Sequence, residues 1–294
     1  MARDPANALV STEWLHNHLD APDVRIVDAT YYLPHENKDP RALFEEQHIP
    51  RAVFFDIDEI SDTSSDLPHM LPPPEKFSSR VRRLGLGDGT RIVVYDQRGI
   101  GTAPRAWWTF RAFGHEDVAV LDGGLAKWIA EGRPVEDGPA RPDERHFSAR
   151  MNTLLVRDKE QVRRDSQQGR EQILDARPRG RFEGTAEEIW PGRRQGHIPN
   201  SLNLPFDEMI DPETKTMLPP DRIRQRMEEA GIDFGKPVVT TCGSGVTACT
   251  LALGLYLSGH RDVAVYDGSW AEWGLPGDTE VETGPPARAA ADTK

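Results

Sequence analysis

Short apolar, β-branched runs alternate with longer amphipathic stretches along most of the chain. The short runs fall at 24–28, 52–55, 91–95 and 117–121, and again at 172–175, 201–204, 237–241 and 262–266. Helices are expected at 12–19 behind a Ser11 or Thr12 cap, and at 75–83, 103–113, 221–230 and 246–258. This alternation predicts parallel sheets covered by helices, an α/β fold. One helix stands apart: Val246-Thr-Ala-Cys-Thr-Leu-Ala-Leu-Gly-Leu-Tyr-Leu257 is apolar almost all round, as expected of a helix packed on a sheet.

The pattern occurs twice. Val118-Ala-Val-Leu-Asp-Gly-Gly-Leu-Ala-Lys-Trp128 matches Val263-Ala-Val-Tyr-Asp-Gly-Ser-Trp-Ala-Glu-Trp273 at an offset of 145. Ile26-Val-Asp-Ala pairs in the same order with Ile173-Leu-Asp-Ala, His48-Ile-Pro with His197-Ile-Pro, and Ile92-Val-Val-Tyr with Pro237-Val-Val-Thr. Four matched blocks in order imply a duplicated domain of about 140 residues. The expected layout is an N-terminal domain at 8–135, a linker at 136–152 rich in Gly, Pro and charge, a C-terminal domain at 153–276, and a flexible tail at 277–294.

Composition narrows the function classes. The balance of 36 basic against 48 acidic residues gives −12 without a long single-sign block, which argues against a nucleic-acid or anionic-membrane partner. The first residues show no hydrophobic signal region, and no stretch approaches a membrane span. Two cysteines seven apart make neither a disulfide framework nor a metal motif, so a reducing cytoplasm is the expected location.

The chemistry centres on Cys242. It closes the run Lys236-Pro-Val-Val-Thr-Thr and opens the turn Gly243-Ser-Gly-Val-Thr247 into the apolar helix. A thiol there faces unpaired backbone N–H groups and the positive end of the helix dipole, which favour its thiolate. Gly243 and Gly245 let the turn curl its amides toward one point. The plain alternative is an inert buried cysteine, a description that suits Cys249, inside the helix, better. The corresponding turn of the first copy, Tyr95-Asp-Gln-Arg-Gly-Ile-Gly-Thr-Ala103, holds no cysteine. Only the second turn carries a nucleophile, and the first domain becomes a supporting wall.

The tandem copies, the His-Ile-Pro blocks, the Asp-Gly…Trp blocks and the Cys-Gly-Ser-Gly-Val-Thr turn together resemble the two-domain rhodanese family of sulfurtransferases, over about residues 8–275. Within it, the turn is similar to the branch that uses 3-mercaptopyruvate. Thiosulfate-preferring members carry basic residues directly after the cysteine, where this chain has the uncharged Gly243 and Ser244. A dianionic donor wants cations beside the thiol, whereas mercaptopyruvate carries one carboxylate farther from the transferred sulfur.

The resemblance implies roles residue by residue. Cys242 would be the nucleophile that holds sulfur as a persulfide, with Gly243, Gly245, Val246 and Thr247 forming the cradle. Ser244 would work with a histidine and an aspartate of the first domain, matched here by His69 and Asp58 in Phe55-Asp-Ile-Asp-Glu-Ile-Ser-Asp62 and Asp66-Leu-Pro-His-Met-Leu71. Read without the resemblance, His69 is a loop histidine, and Asp58 is one of several loop aspartates beside Asp56, Asp62 and Asp66. Arg181 matches the arginine that holds the substrate carboxylate; on its own it reads as a surface arginine among Arg170, Arg177 and Arg179. Trp190 stands where the family has a second substrate arginine. Either Arg193 takes over that task, or Arg181 and backbone amides suffice.

The resemblance thus implies transfer of sulfur from a small-molecule donor to cyanide, a small thiol or thioredoxin, with no metal or organic cofactor. Three alternatives stay open. A thiosulfate:cyanide sulfurtransferase would use the same fold. A cysteine phosphatase would need an arginine six residues after the cysteine, where Ala248 stands. A non-catalytic binding module would have no use for the cysteine turn.

Overall fold

The computed structural model describes residues 8–140 and 142–286. The described residues divide into two compact units, those up to 152 together with 210–217, and 153–209 together with 218–286.

Each unit is built on a five-stranded, wholly parallel sheet. In the first, β1 (Leu9–Val10), β2 (Val24–Asp28), β3 (Ala52–Phe54), β4 (Arg91–Tyr95) and β5 (Val118–Leu121) run in the spatial order β1-β5-β4-β2-β3. In the second, β6 (Val156–Arg157), β7 (Gln172–Asp175), β8 (Leu202–Asn203), β9 (Val238–Thr241) and β10 (Val263–Tyr266) run in the order β6-β10-β9-β7-β8. All eight expected strands appear, and the order is the same in both copies. β1 and β6, at corresponding edges, were not expected, whereas the equally short β8 lies inside the expected run 201–204.

Five expected helices form at Thr12–Asn17, Pro74–Arg83, Ala103–Ala112, Pro220–Glu229 and Ala248–Leu257. Ser11 caps the first, its hydroxyl accepting the Trp14 N–H at 3.0 Å. Helix Ala248–Leu257 packs against β9, β10 and helix Pro220–Glu229, with Leu251, Leu253 and Leu255 fully buried. Burial on this scale contributes about 1.5–3 kcal/mol per leucine and fixes the turn that precedes it. No helix among the described residues is long and apolar enough to cross a membrane.

The repeated motifs make the same contacts in both copies. His48 Nδ1 lies 2.7 Å from the Phe44 carbonyl with its ring stacked on Phe44, and His197 Nδ1 lies 2.9 Å from the Phe182 carbonyl, stacked on Phe182. An antiparallel bridge joins His48 to Glu136, and another joins His197 to Glu282. The Trp128 indole donates to the Pro134 carbonyl at 2.7 Å, and Trp273 to Glu280 at 2.8 Å.

These bridges correct two expectations. The supposed linker at 136–152 packs on the first unit: Glu136 pairs with His48, and the Arg150 N–H donates to the Phe113 carbonyl at 2.9 Å. The described part of the supposed flexible tail, 277–286, is likewise fastened, with Thr279 buried and bonded to Arg194 and with the Glu282 bridge. Backbone groups in both segments find partners far along the chain, a non-local pairing that local composition does not encode. Residues 287–294 of that tail lie outside the described residues.

One excursion was not foreseen. Residues Ile210–Met217, far along the chain, belong to the first unit. The Met217 N–H donates to Asp122 at 2.8 Å, and Lys215 lies close against Gly99.

Candidate active site

In a parallel α/β sheet, ligands gather at the carboxyl ends of the strands. β9 ends at Thr241, and the next residue is Cys242, whose side chain is 2 % exposed. Its backbone N–H donates to Ser269 Oγ at 3.2 Å, and its carbonyl accepts the Trp270 N–H at 3.0 Å. Ser269 Oγ in turn donates to the Tyr266 carbonyl at 2.8 Å. To stand there, Ser269 adopts φ 49°, a left-handed conformation unusual for a non-glycine residue. The corresponding residue of the first copy is Gly124, at φ 54°. A backbone position suited to glycine is thus given to serine beside the cysteine.

The turn beyond Cys242 is tightly held. The Gly243 carbonyl accepts the Ala271 N–H at 2.8 Å, and Gly245 takes φ 78°. Ser244 and Val246 are buried, and Thr247 stands at the N-cap position of helix Ala248–Leu257 without a side-chain cap. Gly243 permits a close approach: a Cβ added there would meet Trp190 Nε1 at 2.6 Å and Arg181 Nη2 at 3.2 Å. The indole and the guanidinium therefore lie directly on the turn.

Arg181 is positioned by a chain of buried charges. Glu188, its carboxylate 4 % exposed, pairs with Arg181 and stands 3.2 Å from Arg177 Nη1. Arg177, 1 % exposed, also binds Asp175 at 2.8 Å and the Gly196 carbonyl at 2.8 Å, and stacks over Trp270 at 4.3 Å. Asp175 is the last residue of β7 and lies in register with Thr241, the last of β9. The chain Asp175–Arg177–Glu188–Arg181 thus runs from one strand end to the turn, each charge paired as burial requires.

The expected residues of the second unit, Cys242, Gly243, Ser244, Gly245, Val246, Thr247 and Arg181, come together. Arg193 is placed differently. Its Nε donates to the Ala271 carbonyl and its Nη1 to the Pro191 carbonyl, both at 2.8 Å. It therefore meets the turn through Ala271, and Trp190 stands where a second cation was expected.

The first unit holds the other two expected residues. His69 Nε2 lies 3.1 Å from Asp58 Oδ1, with His69 buried and Asp58 two-thirds exposed. His69 takes φ 61°, its carbonyl accepts from Arg105, and its ring meets Tyr31 edge-on at 4.7 Å. Trp107 and Trp108 are buried in helix Ala103–Ala112, in line with a packing role.

The first-copy turn explains what such a turn holds. Strand register sets Tyr95 beside Asp28 and Thr241 beside Asp175, one residue off the sequence pairing of Tyr95 with Thr240, so Asp96 stands where Cys242 does. Its Oδ2 accepts the N–H groups of Gly101, Thr102 and Ala103 at 2.7, 2.8 and 2.9 Å, and its Oδ1 accepts that of Arg98 at 2.9 Å. Four amides converge on one buried carboxylate: the turn is an anion cradle, and here the chain fills it with its own side chain. By helix register, the amides corresponding to 101–103 belong to Val246, Thr247 and Ala248.

Four members of the site carried no functional signal in the sequence. Asp175 and Ser269 stood in repeat blocks but read as structure. Arg177 read as one of several surface arginines, and Glu188 as an unremarked loop carboxylate. Among the described residues, no group of three or more His, Cys, Asp or Glu side chains could hold a metal ion.

Comparison with known proteins agrees with this duplication. The model of the rhodanese-like domain matches residues 11–131 and again 158–275. The chain is 44% identical over 272 residues to human 3-mercaptopyruvate sulfurtransferase, covering 90% of this chain and 91% of the relative. It is 45% identical to chicken thiosulfate sulfurtransferase, covering 90% and 93%. Among solved structures, SseA from Escherichia coli, described with the 3-mercaptopyruvate sulfotransferases, matches with a TM-score of 0.83 and 37% identity, over 90% of this chain and 100% of that one.

Proposed function

The chain belongs to the rhodanese family and is a sulfurtransferase, and within that family we propose that it takes sulfur from 3-mercaptopyruvate through a persulfide on Cys242. Relatives named for mercaptopyruvate and for thiosulfate are almost equally similar to it, so overall identity does not choose the donor. The turn does. Gly243 and Ser244 bring no cation beside the thiol, and Arg181, already paired with Glu188, is the guanidinium set against Gly243. One partly neutralised cation suits a donor with a single carboxylate.

The Cys242 thiolate attacks the sulfur of 3-mercaptopyruvate. A bond forms between the two sulfurs, the sulfur–carbon bond breaks, and the electron pair leaves on carbon as pyruvate enolate. Arg181 holds the carboxylate through paired hydrogen bonds. Ser244, on the turn itself, is the group proposed to manage the protons of the substrate thiol and the enolate, which becomes pyruvate. The amides of Val246, Thr247 and Ala248 cradle the outer sulfur, as the first-copy turn cradles Asp96. A nucleophilic acceptor (cyanide, a small thiol or thioredoxin) then attacks that sulfur and restores the thiolate. The cytoplasm, which keeps such a thiol reduced, is the proposed location.

Initial rates with each donor, using cyanide as acceptor, test the reading. Mercaptopyruvate should be favoured in kcat/KM by about tenfold or more, a difference of about 1.4 kcal/mol in transition-state binding. A preference for thiosulfate would overturn the assignment. Cys242 should gain one sulfur atom in mass on incubation with mercaptopyruvate alone; no gain would favour a binding module.

A further inference from the structure

The buried charges beside the Cys242 turn have no counterpart in the first copy. By the repeat blocks, Asp28-Ala-Thr30 matches Asp175-Ala-Arg177, so threonine stands in the first copy where the second has a fully buried arginine. Thr30 meets its own turn directly, its Oγ accepting the Gln97 N–H at 3.0 Å. Arg177 instead binds Asp175 through Nε and Nη2, the Gly196 carbonyl through Nη2, and Glu188 through Nη1. All three of its nitrogens are engaged, which makes Arg177 a fixed post for Glu188.

Both oxygens of Glu188 are committed. Oε2 accepts from Arg177 Nη1 at 3.2 Å and from Arg181 Nε at 3.4 Å. Oε1 accepts from Arg181 Nη2, and from the Trp190 backbone N–H at 3.3 Å. A guanidinium offers a carboxylate two edges with paired donors, one formed by Nε and Nη2, the other by Nη1 and Nη2. Glu188 covers the first. The Arg181 guanidinium has no other hydrogen-bond or ion-pair partner among the described residues, and its Nη2 lies 3.2 Å from where a Gly243 Cβ would stand. The second edge is therefore left, and one of its nitrogens borders the turn.

We propose that Glu188 is the positioning residue of this site: by holding the Nε–Nη2 edge of Arg181 it presents the Nη1–Nη2 edge to an anion at the Cys242 turn. This rests on the donor reading above in taking that anion to be the donor's carboxylate, and it adds which edge receives it and which residue fixes that edge. Glu188 also offsets the charge of Arg181, and that effect has the opposite sign. Loss of the negative charge alone would strengthen the attraction for an anion, whereas loss of orientation weakens binding. The direction of the change in KM separates the two.

The test measures kcat and KM for mercaptopyruvate and thiosulfate, with cyanide as acceptor, in the wild type, E188Q, R181K and the double variant. E188Q turns one oxygen into an NH2 group that cannot accept from the N–H groups it faces, so the two-point hold on Arg181 becomes a one-point hold. KM for mercaptopyruvate should rise about tenfold, with kcat within about threefold of wild type. Lysine is a point charge without an edge to orient, so in the R181K background E188Q should change KM by less than about twofold. A KM in E188Q that falls, or stays within about twofold of wild type, would overturn the proposal. So would an equal rise in the R181K background, which would make Glu188 merely structural, or an R181K enzyme with wild-type KM. E188D keeps the charge with a shorter reach and decides the matter if E188Q does not fold; its KM should rise about threefold beside Arg181 and not beside Lys. A wild-type preference for thiosulfate would instead defeat the donor assignment, while the coupling between positions 188 and 181 remains measurable with either donor.

Discussion

β4 and β9 each end beside an aspartate on the neighbouring strand, Asp28 opposite Tyr95 and Asp175 opposite Thr241, and each leads through a tight turn into a ten-residue helix. From there the two copies diverge. In the first, Asp96 fills the turn with its own carboxylate and takes four backbone N–H groups. In the second, the same position is a cysteine whose backbone N–H is anchored on Ser269, and a ladder of buried charges carries a guanidinium to the turn. The neighbouring aspartates follow suit. Asp175 is paired with Arg177, whereas Asp28 accepts from the Thr30 backbone and has no arginine; burial pushes its carboxyl up to about 7. Anion holding is thus seen in the first turn, and helix register gives the second turn the corresponding amides at Val246, Thr247 and Ala248. Sulfur chemistry requires the turn to be left open and a nucleophile placed at its mouth.

The most severe break of this comparison is to give the second turn the first turn's residue. C242D should abolish sulfur transfer, lowering kcat/KM by about a thousandfold or more, because the nucleophile is gone and a carboxylate sits at the mouth of the cradle. If aspartate is accepted as it is in the first copy, C242D should also resist chemical denaturation at least as well as C242A. A C242D protein clearly less stable than C242A would show that the two cradles are not equivalent.

Asp28 gives the next largest effect. Its folded-state pKa lies above its unfolded value, so the folded chain binds more protons between about pH 4 and pH 7. The resulting stabilisation is fully present below the unfolded pKa and is lost as pH rises through about 7, with a ceiling of about 4 kcal/mol. Urea denaturation across that range should show wild-type stability falling with rising pH, and D28N, neutral throughout, should remove most of the slope. An unchanged slope in D28N would place the effect elsewhere.

Emptying the first cradle comes third. D96A leaves buried N–H groups without their carboxylate and should destabilise the protein by about 2–3 kcal/mol, read from the denaturation midpoint. The finest distinction concerns Ser269. S269A removes the acceptor of the Cys242 N–H and retains the left-handed backbone, and should lower kcat about threefold to tenfold. S269G relieves the backbone and loses the same acceptor, so it should match S269A in activity while melting higher. Equal melting temperatures would mean that φ 49° carries no strain.

What was legible in the sequence follows from the range of each interaction. The eight expected strands and the apolar helix showed because burial is written into adjacent residues, and the duplication showed because its blocks recur in order. The edge strands Leu9–Val10 and Val156–Arg157 did not show: two residues carry no period, and Leu202–Asn203, equally short, was reached only as part of the run 201–204. Cys242 was legible by its place between a strand and a glycine turn. Arg177 was not: nothing local separates a fully buried guanidinium from an exposed neighbour such as Arg179. Its burial depends on Asp175, two residues away, and on Glu188, eleven residues on. The bridges at Glu136 and Glu282 span longer separations still, which is why ordered segments looked like linker and tail.

The segment Ile210–Met217 has a consequence for biosynthesis. The first unit is complete only when these residues reach it, about 65 residues after the main body of that unit ends at Asn152. At roughly 5–20 residues per second, a nascent chain waits about 3–13 s with the Gly99 and Asp122 surface unfinished. Expressing the halves separately, cut near residue 152, would make that unfinished state permanent in one fragment and leave the other with a segment that has lost its partner.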